Sequence, residues 1–111
     1  MTTIDAGGLI ILDPSDERLL NFTWDGVLES GVAIADSTWT ITAIKQTGVT
    51  ALSTDNETIL GSENYRVTQA RFLATTATAG DRYWVSNEIV TDETPAAQTI
   101  EQRFKVLIQN Q

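Results

Sequence analysis

The residues best equipped for chemistry in this sequence are carboxylates. Fifteen Asp and Glu stand against seven Lys and Arg, with no His and no Cys. Asp13, Asp16, Glu17, Asp25, Glu88, Asp92 and Glu93 fall in or near turns, and a carboxylate pair is the machinery of glycoside hydrolysis. None is flanked by the aromatic and polar pattern of a sugar cleft, so they read as solvated loop charges. Asp55-Asn56-Glu57 and Asp92-Glu93 offer oxygen ligands of the kind Ca²⁺ takes, but neither has the spacing of an EF-hand loop. The missing His removes the commonest general base and every Ser-His or Cys-His pair. The missing Cys removes thiol nucleophiles, thiolate zinc sites and disulfides. There is no Gly-rich phosphate loop and no Gly-x-Ser-x-Gly elbow. The sequence therefore predicts no catalytic residue, no metal and no cofactor.

Charge narrows the partners. The net charge is −8 and the pI about 4.2, which repels phosphate backbones and anionic membranes alike. The basic residues look few and scattered, with no aromatic–basic platform for stacking bases. The longest apolar run, Leu9-Ile10-Ile11-Leu12, is far short of the ~20 residues of a membrane span. The N-terminus MTTIDAGG lacks the basic and apolar regions of a signal peptide. A protein folded in a reducing cytoplasm and not secreted by the standard route is expected. Partners are expected to be proteins.

The elements that must position these residues are strands. A chain of 111 residues is one domain by length, and its dominant apolar period is two. Leu9–Leu12, Arg18–Trp24, Ser37–Ile44, Asn64–Ala74, Arg82–Thr91 and Thr99–Gln109 read as strands, with Gln46–Ser53 weaker. Asp13-Pro14-Ser15-Asp16 and Asp25-Gly26 read as turns, Thr54–Glu57 as a polar loop, and Ile59-Leu60-Gly61 as a short edge strand or a turn. Val27–Ile34 is ambiguous. The fold expected is an all-β, immunoglobulin-like antiparallel sandwich of about seven or eight strands, with a small barrel second. Residues 1–8 read as an extended N-terminal arm jointed at Gly7-Gly8, and residues 9–111 as a single sandwich domain.

Alternation assigns Phe22, Trp24, Trp39, Ile41, Tyr83, Val85, Phe104 and Val106 to the core. Gly80-Asp81-Arg82-Tyr83 at a strand start has the form of a tyrosine corner, in which the hydroxyl reaches back to upstream backbone. Trp84 must face away from Tyr83 and Val85, toward solvent or an interface. Leu9–Leu12 is apolar on both faces, and one sandwich normally covers only one. Ile4, Leu9, Ile10, Ile11 and Trp84 are thus the candidate partner-binding residues.

Four segments in order resemble a family. Leu19-Asn21-Phe22-Thr23-Trp24-Asp25 is similar to an early aromatic strand with an acidic turn. Gly31 to Ile41, Thr78 to Asn87 and Glu101 to Val106 follow at matching spacing. Together they resemble the small virion proteins of tailed bacteriophages of the fiber-tail adaptor type, over Leu19 to Ile108. The sequence departs from that pattern at Thr94-Pro95-Ala96-Ala97, where the family more often has a Gly-containing turn, and across Thr54 to Asn64, which does not align. The resemblance implies an immunoglobulin-like sandwich with no enzymatic activity. It would be made in the bacterial host cytoplasm and built in multiple copies into a symmetric assembly, bound to other phage structural proteins of the tail, neck or fiber. A capsid decoration protein on the outer shell and a carbohydrate-binding module are the alternatives.

Overall fold

The computed structural model describes residues 2–4 as backbone, and residues 7–47, 52–75 and 77–110 with their side chains. Among the described residues, eight strands run in the order β1 (Thr2–Ile4), β2 (Leu9–Leu12), β3 (Glu17–Thr23), β4 (Ile34–Lys45), β5 (Ser53–Ile59), β6 (Val67–Leu73), β7 (Arg82–Thr91) and β8 (Thr99–Ile108). They form two four-stranded sheets, ordered β1-β3-β6-β5 (sheet A) and β2-β8-β7-β4 (sheet B). Without β2, these orders are the two sheets of an immunoglobulin-type sandwich. β1 departs from an all-antiparallel arrangement by pairing parallel with β3, and β2 pairs parallel with β8.

The core forms where the alternating apolar faces of the two sheets meet. Trp24, Phe22, Phe72, Tyr83, Val85, Phe104 and Val106 are sealed from solvent. Phe72 and Phe104 lie with ring centroids 6.0 Å apart, and Trp39 meets Phe72 edge-on at 5.6 Å. Of the eight residues expected in the core, seven are buried, and Ile41 is half-buried against them.

The structure differs from the sequence reading at several local points. Within the segment read as an extended arm, Thr2–Ile4 adds to sheet A in register with Leu20–Phe22. Gly7, at φ +75°, donates its N–H to the Arg103 carbonyl at 2.8 Å, a conformation that suits a residue without Cβ. Thr54–Glu57 is not a loop but part of edge strand β5, with a bulge between Asp55 and Thr58 and Asn56 at φ 50°. Charged edge strands are tolerated because their outer backbone faces water, and here Arg71 grips Asp55 with two bonds of 2.8 and 2.6 Å. The long strand expected from Asn64 starts only at Val67, because Asn64 and Tyr65 both sit at φ 56° in a turn that follows the 3₁₀ turn Gly61–Glu63. Val27–Ile34 is turn and irregular chain up to Ile34, where β4 begins. Half of the weak strand expected over Gln46–Ser53, residues 48–51, lies outside the described residues.

Candidate functional site: the outer face of sheet B

β7 and β8 alternate inward and outward, so Arg82, Trp84, Ser86 and Glu88 point away from the core on β7. Their register partners on β8 are Leu107, Lys105, Arg103 and Glu101. β2 adds Leu9 opposite Lys105 and Ile11 opposite Leu107 on one flank. β4 adds Lys45 opposite Arg82, Thr42 opposite Trp84, Thr40 opposite Ser86, Thr38 opposite Glu88 and Asp36 opposite Val90 on the other.

This face joins three of the five candidate partner-binding residues. Leu9 and Ile11 are 57% and 37% exposed. Trp84 lies between them and β4, half-buried beneath the cations of β8. Arg103 Cζ stands 4.2 Å and Lys105 Nζ 4.9 Å from its ring centroid, a cation–π arrangement in which the ring quadrupole attracts both charges. Ile10 is corrected: it turns inward beside Val106 and packs against the core. The backbone of Ile4 pairs with Phe22 at the edge of sheet A, away from this face, and its side chain lies outside the described residues.

The reading of the basic residues as scattered is also corrected. Of the seven cations, Arg18, Arg66 and Arg71 ion-pair with Asp16, Asp25, and Asp55 with Glu17, all on sheet A or its loops. The remaining four, Lys45, Arg82, Arg103 and Lys105, gather on sheet B and make no ion pair among the described residues. Alternation in β8 already set Arg103 and Lys105 on one side. Only the β7–β8 register could bring them to Trp84.

The acidic positions weighed for catalysis or Ca²⁺ are occupied in other ways. Asp55 is held by Arg71, whose hydrogen bond keeps its carboxyl below the ordinary range. Asp92 Oδ1 accepts the Ala33 N–H at 2.9 Å, and Glu93 Oε1 accepts the Thr91 hydroxyl at 3.1 Å. Among the described residues no group of three or more acidic side chains is placed to hold a metal ion. No helix of the described residues is long and apolar enough to cross a membrane.

Two other polar clusters are structural. Asp81 is buried at the start of β7, where its carboxylate accepts the Thr47 N–H and hydroxyl at 3.0 Å each, the Thr78 N–H at 3.3 Å and the Tyr83 hydroxyl at 3.3 Å. Burial pushes its pKa up, but these hydrogen bonds together hold it below the ordinary value. Tyr83 does not form the corner expected of it. Its hydroxyl donates to Asp81 and accepts the backbone N–H of Leu52, while burial pushes its pKa up. Arg66 closes the loop after β3: Nε donates to Asp25 at 2.8 Å, Nη1 to the carbonyls of Glu29 and Val32 at 2.9 and 2.6 Å, and Nη2 to that of Leu28 at 3.0 Å.

No protein-family model matches the chain, and no curated protein matches it at a significant level.

Proposed function

We propose that this chain is a protein-binding structural domain of a bacteriophage virion, of the fiber-tail adaptor type, working by surface complementarity rather than by turnover. The observation that supports this reading is the outer face of sheet B. Leu9, Ile11 and Trp84 stand exposed or half-exposed beside charges that make no ion pair among the described residues. Apolar surface flanked by polar residues marks a protein contact, and Trp with Arg is the composition of interface anchors. A carbohydrate-binding role is less well served, because Arg103 and Lys105 already stack on the ring that a sugar would use.

The test is quantitative mass spectrometry of purified tailed particles from cells expressing the gene. A fixed copy number matched to tail or neck components supports the adaptor, and a number matched to capsomers selects the decoration alternative. Absence from the particles overturns the reading. Leu9→Asp should lower incorporation several-fold while leaving the purified domain folded by circular dichroism.

A further inference from the structure

The outer face of sheet B is self-complementary in charge. Its rows run across the strands in register. The first holds Ile11, Leu107, Arg82 and Lys45; the second Leu9, Lys105, Trp84 and Thr42; the third Arg103, Ser86 and Thr40. The fourth holds Glu101, Glu88 and Thr38, and the fifth Thr99, Val90 and Asp36. Cations fill one end and acids the other. Every ion pair the described residues make lies elsewhere in the molecule. Glu88 and Glu101 are moreover direct cross-strand partners, and like charges so placed repel. A face that segregates its charges and leaves them unpaired is unusual unless something opposite supplies the match.

From this we infer that the face is covered by a second copy of this chain, stacked sheet on sheet about a two-fold axis that lies in the interface along the Arg103–Ser86–Thr40 row. That operation keeps each strand over its own counterpart but reverses its direction. The second row then faces the fourth, and the first faces the fifth. Lys105 lies over Glu101 of the other copy, Trp84 over Glu88, and Lys45 over Asp36. Arg103 stands on the axis row, yet it leans onto Trp84. Its guanidinium is thereby carried off the axis, away from its own counterpart and toward Glu88. Both acids of the repelling pair gain a cation, and each contact occurs twice, as an isologous interface requires.

The size of the face is adequate. β4, β7 and β8, spaced about 4.8 Å apart over roughly nine residues of about 3.4 Å each, with the short β2 on their flank, present ~500 Å² per copy. Two copies bury ~1,000 Å², at the low end of specific interfaces. A small contact built on charge pairs should be reversible and sensitive to salt.

This inference deepens the proposed function by naming the neighbour, and it is tested on the isolated full-length chain, so it stands or falls separately from particle incorporation. The experiment is sedimentation equilibrium at low and high NaCl. A monomer–dimer equilibrium is expected, with a dissociation constant that rises about tenfold or more as salt screens the pairs. Lys105→Glu and Glu101→Lys should each weaken the dimer by about tenfold or more, since each sets like charges face to face. The double variant K105E/E101K should regain most of the wild-type affinity, because the pair is rebuilt with its signs exchanged. All positions are exposed, and circular dichroism checks that each variant folds. A chain that stays monomeric at millimolar concentration in low salt overturns the inference. So does a dimer indifferent to both single reversals, or a double variant no better than the singles. Binding of poly-glutamate by a strictly monomeric chain would show instead that the face takes an acidic partner.

Discussion

The indole N–H of Trp24, just past β3 in sheet A, donates to Asn87 Oδ1 on β7 of sheet B at 3.1 Å, joining the two sheets through the core. Thr68 of β6 completes the cluster, its hydroxyl 2.6 Å from the same Asn87 oxygen and 3.3 Å from the indole nitrogen. Asn87 spends its amide on the Ser37 hydroxyl and the Thr38 carbonyl of β4, at 2.9 and 3.2 Å. All three side chains of the cluster are sealed from solvent, where an unpaired polar group is costly and a satisfied one makes the packing specific.

Trp24 and Trp39 should therefore respond differently to the same substitution. The Trp39 indole nitrogen is buried without a hydrogen-bond partner among the described residues. Trp39→Phe removes that unsatisfied donor together with some packing, whereas Trp24→Phe strips the cluster of a donor. Denaturant melts should find Trp24→Phe the more destabilising, by about 1–3 kcal/mol. Equal losses would remove the cluster's special role. Trp39→Ala, which leaves a large cavity, should cost about 3–5 kcal/mol.

Asp81 ties stability to acid pH. Its folded pKa lies below the ordinary carboxylate value because of the bonds from Thr47, Thr78 and Tyr83. A depressed folded pKa contributes stability that is present above the unfolded value and lost as pH falls through the folded one. Melts of wild type and Asp81→Asn should thus differ most at neutral pH and converge as pH drops below about 4. A constant gap down to pH 2 would place the effect in packing rather than ionisation.

Arg66→Lys tests the loop clamp. A lysine ammonium cannot span Asp25 and three carbonyls in the fixed plane of a guanidinium. Exchange of the Leu28 and Val32 amides, which bond back to Trp24 and Glu29, should accelerate by about tenfold or more, while that of the β7–β8 ladder stays unchanged. Uniform acceleration would mean that the substitution lowers global stability instead.

Divalent metal should be dispensable. Both carboxylate oxygens of Asp55 are held by Arg71, and one oxygen each of Asp92 and Glu93 by Ala33 and Thr91. A chelator should leave the thermal midpoint unchanged, and a fall of several degrees restored by Ca²⁺ would show an ion site in the acidic loops.

Local alternation settled the strand content and most of the core. Tyr83, Val85, Asn87 and Ile89 on β7 and Phe104, Val106 and Ile108 on β8 could face only one way once the period was two. It also turned Trp84 outward. Reading strand ends was harder where the backbone conformation of single residues decides. Two consecutive left-handed residues, Asn64 and Tyr65, delay β6. In β5, a cross-strand partner, Arg71, makes a strand of a segment whose composition favours a loop. The parallel pairing of Thr2–Ile4 with β3 is likewise a tertiary decision, since three residues carry no pattern of their own. What the tertiary structure alone decided is register. Arg103 and Lys105 are separated from Trp84 by the rest of β7 and the connection to β8, and only the pairing of Trp84 with Lys105 and of Ser86 with Arg103 lays both cations on the indole. Cross-strand neighbours are set by where two ladders align, which is fixed by the turn between them and the shared core face, and no window of sequence around Trp84 contains that information.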